Sequence, residues 1–253
     1  MAGTTATITA KMTTDTIMSN EQCRFPRLAL LRLQSWLSPA FPSGSYSYSH
    51  GIEWAVEAGY VDDRETLVDW LESDLRYGTG RNEAIFFMEA WRTVADNDLV
   101  KLFEIAELAC AFRGTSEFAL ESSQQGMACL WTLRRVWPDE LLDQLSELLS
   151  KQKLSPALAV VHGVASAKQG LPANLALPAF LQSYVANLVT AGVRLVPLGQ
   201  TDGQRAIASL EQVVLAATDE AMGATVDDLG SAAFMVDLAS MRHETQYTRL
   251  FRS

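Results

Sequence analysis

Leu141-Leu142-Asp143-Gln144-Leu145-Ser146-Glu147-Leu148-Leu149 decides the fold class. Its leucines return every three or four residues, which lines them along one stripe of a helix and would scatter them over both faces of a strand. Ile207, Leu210, Val214 and Ala217 repeat the pattern further on, and almost no stretch alternates long enough for a strand. The chain therefore reads as all-α. Start signals agree: Asp62 with Glu65 reads as a capping box ahead of Leu67, Trp70 and Leu71, and Pro138 followed by Asp139 and Glu140 suits a first helical turn. Gly78, Gly80, Gly114, Gly170 and Gly199 each fall where a periodic run ends, the place of a left-handed cap. The periodicity predicts ten helices, near 27–37, 50–58, 63–77, 82–95, 98–113, 116–136, 139–151, 156–169, 178–196 and 202–222.

No linker, composition shift or repeat divides these helices, so one globular domain is expected over residues 25–226. A chain of 253 residues can bury roughly three quarters of its unfolded surface. Residues 1–24, rich in Thr, Ala and Ser, read as a mobile tail without the basic start and apolar run of a secretory signal. Residues 227–253 mix apolar and charged side chains with no settled period. Between Gln169 and Val193 no charge occurs, but Pro172, Asn174, Pro178, Gln182 and Asn187 interrupt the run too often for a lipid-facing helix, so two packed core helices and no membrane are expected.

Hydrophobic residues at 48% and charged residues at 20% are ordinary globular usage. A formal net charge of -10 argues against nucleic acid, whose phosphates reward clustered Lys and Arg. Cys23, Cys110 and Cys129 are odd in number and widely spaced, which fits a reducing cytoplasm better than a disulfide framework or a zinc knuckle.

The chain lacks the phosphate loop that would cradle a nucleotide, and it has no G-x-S-x-G elbow, no H-E-x-x-H pair and no C-x-x-C. These absences point away from an enzyme. His162, among Ala159, Val160, Val161 and Val164, is expected to be a hydrogen-bonded core histidine. His50 follows Ser43 to Ser49, where a Ser–His–Glu array with Glu53 can be drawn. Ser49 capping the next helix and Gly44 turning the loop is the plainer reading. His243 reads either as solvated or as a partner contact, and a metal site built by this chain alone is not expected. Arg194 interrupts Val193, Leu195 and Val196; it reads either as an internal ion pair or helix cap, or as an interface arginine aimed at a carboxylate or phosphate.

Ser38-Pro39-Ala40-Phe41-Pro42, continuing through Ser45-Tyr46-Ser47-Tyr48-Ser49-His50-Gly51-Ile52-Glu53, resembles the signature loop and helix start of the UreF family of urease accessory proteins. Val193-Arg194-Leu195-Val196-Pro197-Leu198-Gly199-Gln200-Thr201-Asp202-Gly203-Gln204 is similar to that family's second signature. Ser240-Met241-Arg242-His243-Glu244-Thr245-Gln246-Tyr247, running on to the end, is similar to its third. The likeness runs from about Arg27 to Ser253 and departs at Ser43, where the family more often has Val. The resemblance implies an all-α, non-catalytic adaptor that dimerises, binds the accessory protein UreD or UreH, and receives the GTPase UreG, so that nickel reaches apo-urease. It implies no cofactor: GTP belongs to UreG, and nickel is at most in transit.

The partner-binding residues it implies are Tyr48, His50 and Glu53 in the first signature and Arg194, Gln200, Asp202 and Gln204 in the second. In the third they are Ser240, Met241, Arg242, His243, Glu244, Tyr247, Leu250 and Phe251, which makes residues 227–253 a partner-binding tail. On this reading, deletion from Ser240 onward removes UreD/UreH binding and leaves the helical core folded. Arg194→Ala is expected to weaken UreG recruitment without unfolding the chain. The rival readings are a GTPase-activating protein acting on UreG through a trans arginine, a serine hydrolase on Ser45 to Glu53, and a nickel carrier with its own site.

Overall fold

The computed structural model describes residues 27–252, so the expected N-terminal tail and Cys23 lie outside the described residues. Eleven α-helices occur there, and no strand. They are α1 (Arg27–Trp36), α2 (Ile52–Glu57), α3 (Arg64–Tyr77), α4 (Thr79–Ala95), α5 (Leu99–Ala111), α6 (Ser116–Val136), α7 (Glu140–Gln152), α8 (Leu158–Lys168), α9 (Ala173–Leu195), α10 (Gln200–Gly223) and α11 (Phe234–His243). The stripes face inward as the periodicity requires: Leu141, Leu142, Leu145 and Leu149 of α7 are buried, as are Leu210, Val214 and Ala217 of α10.

Several local signals act one step away from where the sequence placed them. The capping box belongs to Asp63 and Thr66, whose backbone N–H donates to Asp63 Oδ1 at 2.8 Å while its hydroxyl accepts from Asp63 N at 3.1 Å. Of the five glycines expected at left-handed caps only Gly170 has positive φ, and Lys153 makes the left-handed turn that ends α7. Gly78 is extended, and α4 starts at Thr79 rather than residue 82 because the Asp74 carboxylate accepts the Thr79 N–H at 2.9 Å. Helix α9 starts at Ala173, not 178, because the Pro172 carbonyl accepts from Leu175 and Ala176 and opens the helix early. Pro178 is tolerated within it, since the bond it forgoes would run to Asn174 on the exposed side.

The unforeseen helix is α11. Its buried residues, Val236, Ala239, Ser240 and His243, keep helical spacing, but two of the four are polar and hid the stripe. Gly51 allows its close approach to α2: a Cβ there would lie 2.8 Å from Ser240 N.

At the centre α4 packs on α8 and α9, with α3 and α10 on one flank and α5 and α6 on the other. Helix α9 is long and apolar enough to cross a membrane, yet half of its most apolar stretch is buried inside the protein. His162 of α8 is a core residue as expected, with Nε2 3.7 Å from Cys129 Sγ and its ring against Phe180. Its Nδ1 has no protein partner. Burial pushes its pKa down to about 4. An unfolded His162 takes up a proton below about pH 6.5 and the folded one only near 4, so stability is lost as pH falls through that window. The loss by pH 4 is on the order of 3 kcal/mol. Denaturant midpoints of wild type and His162→Leu at pH 7 and pH 4.5 should differ in slope, with the variant losing less. The buried carboxyls of Asp74 and Glu117 act alike in both chains, so parallel pH dependences would refute the assignment.

Candidate functional site: a dock for the C-terminal segment

Glu53 lies in the first turn of α2, Glu117 in the first turn of α6 and His243 in the last turn of α11. His243 is fully buried (0% exposed), with Nδ1 2.7 Å from Glu117 Oε2 and Nε2 3.0 Å from Glu53 Oε2. Glu53 also accepts the backbone N–H of Leu250 at 2.5 Å and of Phe251 at 2.9 Å. Arg249 Nη1 donates to Glu117 Oε1 at 2.9 Å, and Thr115 and Ser240 hydroxyls meet at 2.6 Å. Burial raises the Glu117 carboxyl above its ordinary range, against the opposing pull of His243 and Arg249.

The end of the chain is thus folded back and held. Phe251 is buried (4% exposed) under the Arg194 guanidinium, 4.3 Å from its ring, and Arg194 Nη1 donates to the Tyr46 carbonyl at 2.9 Å. Arg252 N donates to the Ser47 carbonyl at 2.8 Å. Three stretches far apart in sequence, around Tyr46–Glu53, Arg194 and Ser240–Arg252, meet at one place.

The UreF family model matches residues 61–211. Over 225 residues, 89% of the chain, it is 50% identical to the urease accessory protein UreF of Rhodopseudomonas palustris strain BisB5, of which 91% is covered. Identity to the proteins of the same name is 49% in Bradyrhizobium diazoefficiens, with 92% of that protein covered, and 46% in Granulibacter bethesdensis, with 94% covered. The chain belongs to the UreF family. UreF proteins carry the name of an accessory factor of urease, and the family is non-catalytic.

Within this UreF chain the expected site residues divide by burial. Tyr48, His50, Glu53, Ser240, His243 and Phe251 are buried and bound to other parts of the same chain, so they shape the dock rather than present a surface. For His243 this corrects both sequence readings, because neither solvent nor another molecule reaches a ring clamped between two carboxylates. For Phe251 it replaces an outward anchor by an inward one.

His50 has a left-handed backbone (φ 56), stacks on Phe118 at 4.1 Å and sets Nδ1 3.0 Å from Glu121 Oε2. Burial alone would lower its pKa, but the carboxylates of Glu121 and Asp74 outweigh that and hold it above its ordinary value. With His50 taken by Glu121 and Glu53 by His243, the Ser–His–Glu array does not form. Helix α2 begins at Ile52 with Gly51 rather than Ser49 at its cap, and Ser49 Oγ accepts the Glu53 N–H at 3.5 Å. Among the described residues no set of three His, Cys, Asp or Glu side chains is arranged to hold a metal ion. In the His243 cluster both ring nitrogens are occupied by hydrogen bonds.

Met241, Arg242, Glu244, Tyr247 and Leu250 face outward, Tyr247 fully so (103% exposed). Gln200 and Gln204 are exposed at the start of α10, where Asp202 pairs with Arg205 at 2.9 Å. Phe234 and Leu238 were missed. They continue Met241 along the outer face of α11 at intervals of four and three residues, a spacing present in the sequence but set aside with the rest of the tail. Glu117, which completes the cluster with Arg249, gave no signal beyond lying in a first helical turn.

Proposed function

We propose that this chain is the adaptor in nickel loading of urease, and that it binds UreD or UreH through the outer face of α11 and the docked segment after it. The pair then receives UreG, which holds the GTP, and nickel passes as cargo to apo-urease in the cytoplasm. The chain acts as a homodimer and brings no cofactor of its own. The observation that carries the reading is an apolar face, Phe234, Leu238, Met241, Tyr247 and Leu250, left outside while the buried carboxylates beneath hold its backbone in place. Interface centres favour large apolar and aromatic anchors, and a pre-ordered segment gives up less entropy on binding.

The test is a double substitution of exposed anchors, Tyr247→Ser with Leu250→Ser, which leaves the Leu250 N–H on Glu53. Helicity and unfolding temperature should match wild type, while co-purification with UreD/UreH falls by about 30-fold or more in affinity. Undiminished co-purification of a folded variant would refute the assignment of this face.

A further inference from the structure

A cavity of about 220 Å³ lies between α6 and α9 beneath the Ser38–His50 loop. Five residues of its lining carry a buried side-chain atom with no partner in the protein: Trp36 Nε1, His50 Nε2, Arg113 Nη2, Ser122 Oγ and His162 Nδ1. Trp36, His50 and His162 are at least nine-tenths buried, as is the Arg113 side chain. Such atoms are uncommon in folded proteins, and this many on one cavity need a common explanation. They are mostly donors. Indole and guanidinium nitrogens can only donate, and His50 Nε2 donates as well whenever its ring is charged, since Nδ1 already serves a carboxylate. If Cys129 gives its S–H to His162 Nε2, His162 Nδ1 carries a proton too.

The demand is for an acceptor, yet not for a charge. Arg113 is ion-paired with Glu83 through Nη1, and His50 with Glu121 at 3.0 Å. Asp74, 4.0 Å from His50, is screened by the Tyr184 hydroxyl, which donates to it at 2.6 Å, and by Thr79 N at 2.9 Å. An anion would face Glu83 and Glu121, and a cation would face Arg113 and His50. The remaining lining carries no further charge: Leu37, Phe118, Leu158 and Phe180 give it an apolar wall, beside uncharged serine, threonine and amide side chains.

We propose that this cavity is a binding site for a small uncharged carbonyl compound with a short aliphatic chain, its oxygen accepting from Arg113 and His50 and its chain lying on the apolar wall. Tyr46 lines the cavity and its carbonyl holds Arg194 over Phe251, so an occupant also bears on the loop that receives the C-terminal segment. The proposal goes beyond the adaptor reading and does not rest on it.

Propionamide, propionate and propylamine, nearly equal in size and different in charge, are the probes. They are titrated into the full chain while the Trp36 indole N–H is followed by NMR, assigned by its loss in Trp36→Phe. Propionamide should shift that resonance saturably with a Kd of about 1–10 mM, at least about tenfold tighter than the other two. Ser122→Leu and Ala186→Leu, which fill the cavity from facing helices, should each abolish the shift, and either one with wild-type circular dichroism suffices. No saturable shift with propionamide would mean that water alone satisfies these atoms and would overturn the proposal. So would propionate or propylamine binding as tightly, or a shift that survives in a folded cavity-filled variant.

Discussion

Glu53→Gln should release the C-terminal segment from the body of the protein. The Glu53 carboxylate accepts from three donors at once: His243 Nε2 and the backbone N–H groups of Leu250 and Phe251. An amide of the same shape offers one oxygen and turns an NH2 group toward whatever the second oxygen served. At least one of these buried donors is then left facing another donor, and His243 keeps only the Glu117 carboxylate on its other side. Breaking one member of a buried, hydrogen-bonded ionic cluster costs roughly 3–5 kcal/mol. That is enough to detach residues 244–252, which are otherwise held by Phe251 under Arg194, by the Arg249–Glu117 pair, by the Arg252–Ser47 backbone bond and by the exposed side-chain bonds of Glu244 to Ser116 and Gln246 to Glu57.

Hydrogen exchange should show the Leu250 and Phe251 amides becoming unprotected while α4 and α8 keep wild-type protection. On the proposed function, binding of UreD/UreH should fall too, although Glu53 itself is buried. Unchanged protection of those two amides would show that the carboxylate does not hold the segment.

The same geometry explains what could and could not be read from the amino acids. Ten helices were legible because each carries an apolar stripe at helical spacing, and some of their ends were misplaced where one group sets a boundary that the stripe does not mark. Asp74 starting α4 is such a case, for nothing local announces that its carboxylate will accept the Thr79 N–H. Helix α11 was illegible because Ser240 and His243 occupy core positions. Their burial is stabilised by Thr115, Glu53 and Glu117, between 125 and 190 residues away, and no window of sequence contains both partners.

Arg194 was left open between a structural and an interface role. It is exposed, yet its guanidinium bridges the Tyr46 carbonyl and the Phe251 ring, so Arg194→Ala would loosen the docked segment as well as alter the surface. Loss of UreG recruitment in that variant therefore does not by itself place UreG on Arg194. Deletion from Ser240 onward has a similar flaw: it removes two buried residues of α11 that pack on α2 and α6, so the core beneath does not stay intact.

Gly163→Ala should be among the most damaging single-methyl additions the chain can receive. Gly163 lies where α8 crosses α4, and a Cβ there would sit 2.4 Å from the Phe87 carbonyl oxygen and 3.1 Å from Ala90 Cβ. Neither obstacle can move by changing rotamer, since one is backbone and the other a methyl fixed to it, so the two helices would have to separate. Separation loosens the packing of Phe86, Phe87, Val160 and Val164, all fully buried. Overpacking of this kind costs about 1–3 kcal/mol, offset by roughly 1 kcal/mol from the better helix propensity of alanine. The cost here belongs at or above the upper end, because the contact is backbone on backbone at the centre of the core.

A net loss of about 2 kcal/mol or more is expected, which lowers the unfolding temperature by about 6 °C for a chain of this size. Gly223→Ala is the matched control. Gly223 ends α10 with nothing within 4 Å of its Cβ position and ordinary φ, so the same chemical change there should be neutral or stabilising by up to about 1 kcal/mol. Were the two variants to unfold at the same temperature, the close crossing of α4 and α8 could not be what holds the centre of the bundle together.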